Sequence, residues 1–203
     1  MDQLILELTA PPESTLENFV AGRNAEAVQA LRTLATGQAS PGVIYLWGEP
    51  GCGRSHLLMA VMRASRTAAL TVVDEVENLT HAQAEALFPV ARDALAGTGY
   101  LLASGDLPPA SLALREDLRS RLGAGMVYRL WPLSDDEKLA ALYARARHLG
   151  FELPSDAGAY LLRHSPRDMP TLLSTLDALD RLSVKLQRSV TLPLLRQCLD
   201  EHR

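Results

Sequence analysis

The sequence predicts an α/β fold: a parallel sheet of about four strands followed by an all-helical C-terminal subdomain. Three observations predict it. The apolar run Val43-Ile44-Tyr45-Leu46-Trp47 passes directly into Gly48-Glu49-Pro50-Gly51-Cys52-Gly53-Arg54-Ser55, a glycine-rich loop that opens a helix. Apolar runs and segments of helical periodicity then alternate up to Leu130, which is the pattern of a parallel sheet. From Ser134 onward only helical periodicity remains.

Residues 1–14 contain Gln3-Leu4-Ile5-Leu6-Glu7-Leu8 and then Pro11-Pro12. A short apolar stretch closed by two prolines cannot be a long helix and reads as an extended tail. Ala25 to about Thr36 has helical spacing and good helix formers, and Gly37 through Gly42 ends it. Val43–Trp47 is the first strand and Ser55–Arg66 the helix behind the loop. Ala68–Val73 is a second strand, closing in Asp74-Glu75. Ala82–Leu95 reads as helix, Tyr100–Ala103 as a third strand ending in Ser104-Gly105-Asp106, Leu112–Leu122 as helix and Met126–Leu130 as a fourth strand. Helices follow at Asp135–Leu149, Ser155–Arg163, Met169–Leu186 and Leu192–Glu201, with Ser134 and Ser155 at N-cap positions before acidic first turns. The expected organisation is a tail over 1–14, a nucleotide-binding base over 15–131 and a helical lid over 132–203.

Composition bounds the function. With 203 residues, 47% hydrophobic and 22% charged, the chain is long enough to bury a sizeable core. A net charge of −4 and the absence of any Lys/Arg block argue against strong nonspecific DNA binding. Residues 1–99 hold 6 Lys/Arg against 11 Asp/Glu, which leaves 14 against 13 for residues 100–203, so individually placed cations are expected in the second half. Cys52 and Cys198 lack metal-ligand spacing, no run is long enough to span a membrane, and no signal sequence is recognisable. A cytoplasmic protein with reduced thiols is expected.

The chemistry concentrates at the strand ends. Gly48, Gly51 and Gly53 let backbone N–H groups surround phosphate oxygens, with Arg54 and Ser55 at the helix N-terminus behind them. The usual pattern ends in Gly-Lys-Ser/Thr. Arg54 keeps the charge on a wider planar fork, so phosphate binding is favoured over hydrolysis and ADP, or another nucleoside di- or triphosphate, is the expected ligand. Asp74 and Ser55 are the candidates for Mg²⁺, and Glu75 for polarising water. Ser104 and Asp106 fit a polar sensor at the next strand end, or a plain turn. Arg115 and Arg119 are expected on one helical face. Arg121, at the helix end, suits an arginine finger offered in trans or a solvated position, and Arg167 either reaches the phosphates or pairs with Asp168.

These features, in this order, resemble the AAA+ ATPases of the DnaA group. The stretches Thr15–Gly22, Tyr45–Gly48, Gly53–Leu58, Gly105–Pro109 and Pro132–Leu139 resemble in particular the Hda regulators that inactivate DnaA. The resemblance implies that Phe19 and Val20 border the adenine, that Arg54 and Ser55 hold phosphates, that Arg167 is a second sensor and that Arg121 is the finger presented to ATP-bound DnaA. Gln3, Leu4, Leu6 and Leu8 resemble that family's motif for the DNA polymerase III sliding clamp. The implied function is a nucleotide-bound adaptor that binds the DNA-loaded clamp and stimulates ATP hydrolysis by DnaA, preventing re-initiation. An adaptor without hydrolysis stimulation and a self-contained ATPase using Glu75 stay open, as does homo-oligomerisation.

Two departures accompany the resemblance. The chain stops at Arg203 with no helix-turn-helix domain, which points to a regulator with little direct DNA binding. Only 18 residues separate Ser55 from Asp74, too few for the family's extra strand and helix, so one edge strand is expected to be missing.

Overall fold

The computed structural model describes residues 13–67 and 69–200; the tail motif Gln3, Leu4, Leu6 and Leu8 lies outside them. The apolar run before the glycine loop forms β1 (Gly42–Trp47), whose four middle residues are buried. Because successive strand residues face opposite sides, β1 serves two cores at once. Ile44 and Leu46 pack with α1 (Ala25–Ala35) and α2 (Arg54–Ala64), while Val43 and Tyr45 pack with α3 (His81–Leu95) and α4 (Glu116–Ala124).

Three further strands, β2 (Leu70–Val73), β3 (Tyr100–Gly105) and β4 (Met126–Arg129), complete a parallel sheet in the order β2-β3-β1-β4. Gly42 is in register with Tyr100, Leu70 with Tyr100 from the other side, and Ile44 with Met126. This register brings Trp47, Gly105 and Val73 to one end of the sheet, so the glycine loop, Asp106 and Asp74 leave the strands together. No helix or strand lies between α2 and β2 among the described residues, as the short spacing predicts. β2 is consequently an edge strand, half exposed along its length. It borders an open groove of about 480 Å³ lined by Thr71, Val73, Leu79, Ala86, Leu87 and Val90.

The lid has its own core. α5 (Asp135–Leu149), α6 (Ser155–His164), α7 (Met169–Leu186) and α8 (Leu192–Asp200) bury Leu142, Leu161, Leu172, Leu176, Leu179 and Leu194. Ser134 caps α5 in a reciprocal box with Glu137: the Glu137 N–H donates to Ser134 Oγ at 3.2 Å and the Ser134 N–H to Glu137 Oε2 at 2.8 Å. A fork pairing of Arg145 with Asp177, at 3.0 and 3.1 Å, ties α5 to α7. Ser14–Pro132 and the lid from Leu133 onward are two compact units.

Three local expectations are corrected. Pro154, not Ser155, occupies the N-cap of α6, with extended φ and ψ; Ser155 is already helical and caps nothing. The helix expected from Leu112 begins only at Glu116. Pro109 starts a short 3-10 turn, Leu112 then extends to bury itself, and the acids Glu116 and Asp117 suit the true first turn. Arg115 is therefore the non-helical cap residue, and its expected shared helical face with Arg119 does not form. It pairs instead with Asp117 at 2.7 Å, while Arg119 Nη1 donates to Leu112 O at 3.5 Å.

Candidate nucleotide-binding site

The loop between β1 and α2 is held open by glycine. Gly53 is the N-cap of α2 at φ +98°, a left-handed conformation, and a Cβ there would lie 2.5 Å from Phe19 Cε2. A Cβ on Gly48 would lie 2.4 Å from the carbonyl oxygen of Leu130, so this glycine seats the loop against the end of β4. Gly51 sits exposed between them. No side chain caps the N-terminus of α2, which leaves its first N–H groups directed at the loop. Cys52 lies buried within the loop, and burial pushes its thiol pKa up.

Arg54 is the first residue of α2 and is nine-tenths buried. Its Nη2 forms an ion pair with Asp106 Oδ1 at the end of β3. Its Nη1 stands 4.0 Å from Glu77 Oε1, and the same Glu77 oxygen accepts the Asp106 backbone N–H at 3.1 Å. Both Arg54 Nη1 and Glu77 Oε2 are buried without a hydrogen-bond partner. An uncapped helix end and an orphaned guanidinium nitrogen beside a glycine-framed loop suit a polyphosphate. Ser55 stands exposed on the same first turn.

The acidic pair after β2 splits. Asp74 Oδ1 accepts from the buried Ser104 hydroxyl and from the Glu75 N–H, the latter at 3.0 Å, so the ends of β2 and β3 are joined by Asp74 and Ser104. Glu75 takes up a left-handed conformation at φ +50°, and its carboxylate accepts from Asn78 Nδ2 at 3.0 Å. That reversal turns Glu77 toward Arg54. Sequence reasoning missed Glu77; the signal available was a third acid in Asp74-Glu75-Val76-Glu77, whose direction depends on the backbone at Glu75. No cluster of three or more His, Cys, Asp or Glu side chains suited to a metal ion forms among the described residues.

Phe19 packs on the loop side of the first core, with its ring 5.4 Å from that of His56, whose Nε2 meets Thr15 O at 3.0 Å. Val20 follows it, half-buried. Arg121 is not fully solvated: its Nη1 donates to Asp117 O at 2.8 Å, and its guanidinium lies 4.1 Å from the Phe88 ring centroid. In the lid, Arg167 is exposed and pairs with Asp135 at 3.5 Å. The Asp168 alternative fails because that carboxylate caps α7, accepting from Thr171 N at 2.8 Å.

Residues 135–199 match the family model of the Hda lid domain. In overall fold the chain is similar to domain III of the replication initiation protein DnaA from Thermotoga maritima, with a TM-score of 0.71 at 17% identity over 95% of this chain and 98% of that one. It is also similar to AMPPCP-bound DnaA from Aquifex aeolicus, with a TM-score of 0.66 at 17% identity, covering 95% of this chain and 70% of that one. A RuvB variant from Thermotoga maritima superposes with a TM-score of 0.64 at 16% identity, covering 94% and 72% of the two chains. The lid thus matches the Hda lid family, and the chain as a whole, a glycine-looped base on a four-stranded parallel sheet followed by a helical unit, shares the fold of DnaA domain III.

Proposed function

We propose that the protein is a nucleotide-bound adaptor that docks on the DNA-loaded sliding clamp through Gln3, Leu4, Leu6 and Leu8. From there it presents Arg121 to ATP-bound DnaA and promotes hydrolysis. The observation that carries this reading is the joining of a glycine-framed phosphate loop to an Hda-type lid in one chain. ADP is the favoured resident nucleotide, held by the backbone of Gly48–Gly53, by Arg54 and by Ser55, with Phe19 and Val20 beside the base and Arg167 as the lid's contribution. A magnesium ion, when bound, screens the phosphate charge beside Ser55 and Asp74. An arginine placed on a partner's terminal phosphate neutralises charge that develops in the transition state and is worth roughly a thousandfold or more in rate.

The test is phosphate release from DnaA in the presence of clamp-loaded DNA. Wild type should accelerate release. Arg121→Ala should lose roughly a thousandfold of that stimulation while still binding clamp and DnaA. Stimulation by Arg121→Ala equal to wild type rejects the finger and leaves a binding adaptor, and turnover by the isolated protein that is lost in Glu75→Gln identifies a self-contained ATPase. For the tail, Gln3→Ala with Leu6→Ala should weaken clamp binding by about thirtyfold or more at unchanged melting temperature.

A further inference from the structure

Arg54 is the meeting point of two carboxylates that arrive from different strand ends, Glu77 after β2 and Asp106 after β3. The arrangement is asymmetric. The guanidinium is nine-tenths buried and has little room to swing, whereas the Asp106 side chain is half exposed and can turn into solvent at little cost. Its backbone stays pinned, since the Asp106 N–H donates to Glu77 Oε1 at 3.1 Å. The carboxylates also leave the fork unsaturated: Arg54 Nη1 and Glu77 Oε2 both lack partners. A pair built only for stability would be expected to fill these positions, because an unsatisfied buried donor or acceptor is costly.

From this geometry we infer that Asp106 competes with phosphate for Arg54. A bound polyphosphate takes Nη2 from Asp106 and fills Nη1, the Asp106 carboxylate turns outward, and Glu77 remains as the fixed post that holds the Asp106 backbone. Asp106 thus sets how tightly the loop holds its ligand and opposes the highly charged ones most. This inference rests on the nucleotide-binding reading of the loop. It predicts the opposite sign from a sensor role for Asp106, in which the carboxylate would assist the ligand.

The experiment measures ADP and inorganic pyrophosphate affinity by calorimetry for wild type, Asp106→Asn, Arg54→Ala and the double variant, together with melting temperatures without ligand. Asp106→Asn should tighten both ligands by about tenfold, and Arg54→Ala should cost more in that background than in wild type, since the guanidinium is then fully available. Without ligand, Asp106→Asn should melt lower, and Arg54→Met added to it should restore stability by removing the stranded charge. Wild type that binds ADP while Asp106→Asn binds equally or more weakly overturns the competition and leaves the nucleotide reading intact. An unchanged melting temperature in Asp106→Asn overturns it as well. Absence of ADP and pyrophosphate binding in every variant overturns the nucleotide reading and, with it, the exchange.

Discussion

The guanidinium of Arg121 lies 4.1 Å from the centroid of the Phe88 ring, so the last turn of α4 is steadied by a side chain from α3. A cation over an aromatic face at a half-exposed site is worth about 0.5–1 kcal/mol. Phe88→Ala should therefore leave the fold almost unperturbed, yet free Arg121 to sample several rotamers. The expected outcome is a several-fold loss of stimulated DnaA hydrolysis with little change in melting temperature, and substantial recovery in Phe88→Trp. Full activity in Phe88→Ala would show that Arg121 needs no platform.

Asn24 is buried and spans the backbone of Trp131, accepting its N–H at 2.8 Å and donating to its carbonyl at 2.9 Å. Removing the amide leaves both backbone groups without partners, at about 1–3 kcal/mol each. Asn24→Ala should cost about 2 kcal/mol or more in urea denaturation. Arg23→Ala, which loses only the stacking of Arg23 on the Trp131 ring at 4.4 Å, should cost about 1 kcal/mol or less. Similar costs for the two would move the importance of Asn24 away from its backbone bonds.

Alkaline pH should unfold the base through its buried phenol and thiol. Burial raises the Tyr45 pKa above its ordinary 10.0, aided by the charge of Glu77, and burial likewise raises that of Cys52 above 9.0. The unfolded chain then loses these protons before the folded one does. Stability is accordingly level below about pH 9 and falls as pH rises through the thiol range and then the phenol range. Urea midpoints from pH 7 to 11 should follow that curve. Tyr45→Phe should be less stable at pH 7, having lost the 2.8 Å bond to Leu107 O, but should show a shallower decline above pH 10. An unaltered slope would remove Tyr45 from the account.

Gly53→Ala should place a methyl group against Phe19 in a left-handed backbone, whereas Gly51→Ala meets nothing within 4 Å and carries only the backbone penalty at φ +82°. That penalty is roughly 1–2 kcal/mol. Gly53→Ala is expected to melt lower than Gly51→Ala and to lose ADP-induced stabilisation, with partial recovery on adding Phe19→Leu. Equal melting of the two alanine variants would mean that Phe19 yields without cost.

The elements legible in the sequence were those written locally. Val43–Trp47 announced a buried strand because its apolar run serves two cores, Ser134 and Glu137 announced a capped helix, and the 18 residues between Ser55 and Asp74 announced a shortened sheet. The start of α4 was not legible: Leu114 and Arg115 are adequate helix formers, and only the burial of Leu112 decides that the chain extends there. The partners of Arg54 were hidden for a different reason. Asp106 reaches it through the register of β1 with β3, and Glu77 through the reversed backbone of Glu75, neither of which any local pattern encodes. Phe88 and Tyr45 escaped notice as ordinary apolar positions, although one supports Arg121 and the other faces the charge of Glu77.

The strand order β2-β3-β1-β4 has a consequence for how the chain emerges during synthesis. β1 lies between β3 and β4, so its first strand partner begins only at Tyr100 and its second at Met126. Until then Val43–Leu46 has no sheet to join. Pairings between residues so distant in sequence are slow to close and leave apolar edges open meanwhile. The glycine loop, suspended from the end of β1, is therefore among the last parts of the base to acquire its working shape. The ion pair of Arg54 with Asp106, which closes only once β3 lies beside β1, is in effect a report that the centre of the sheet has been assembled.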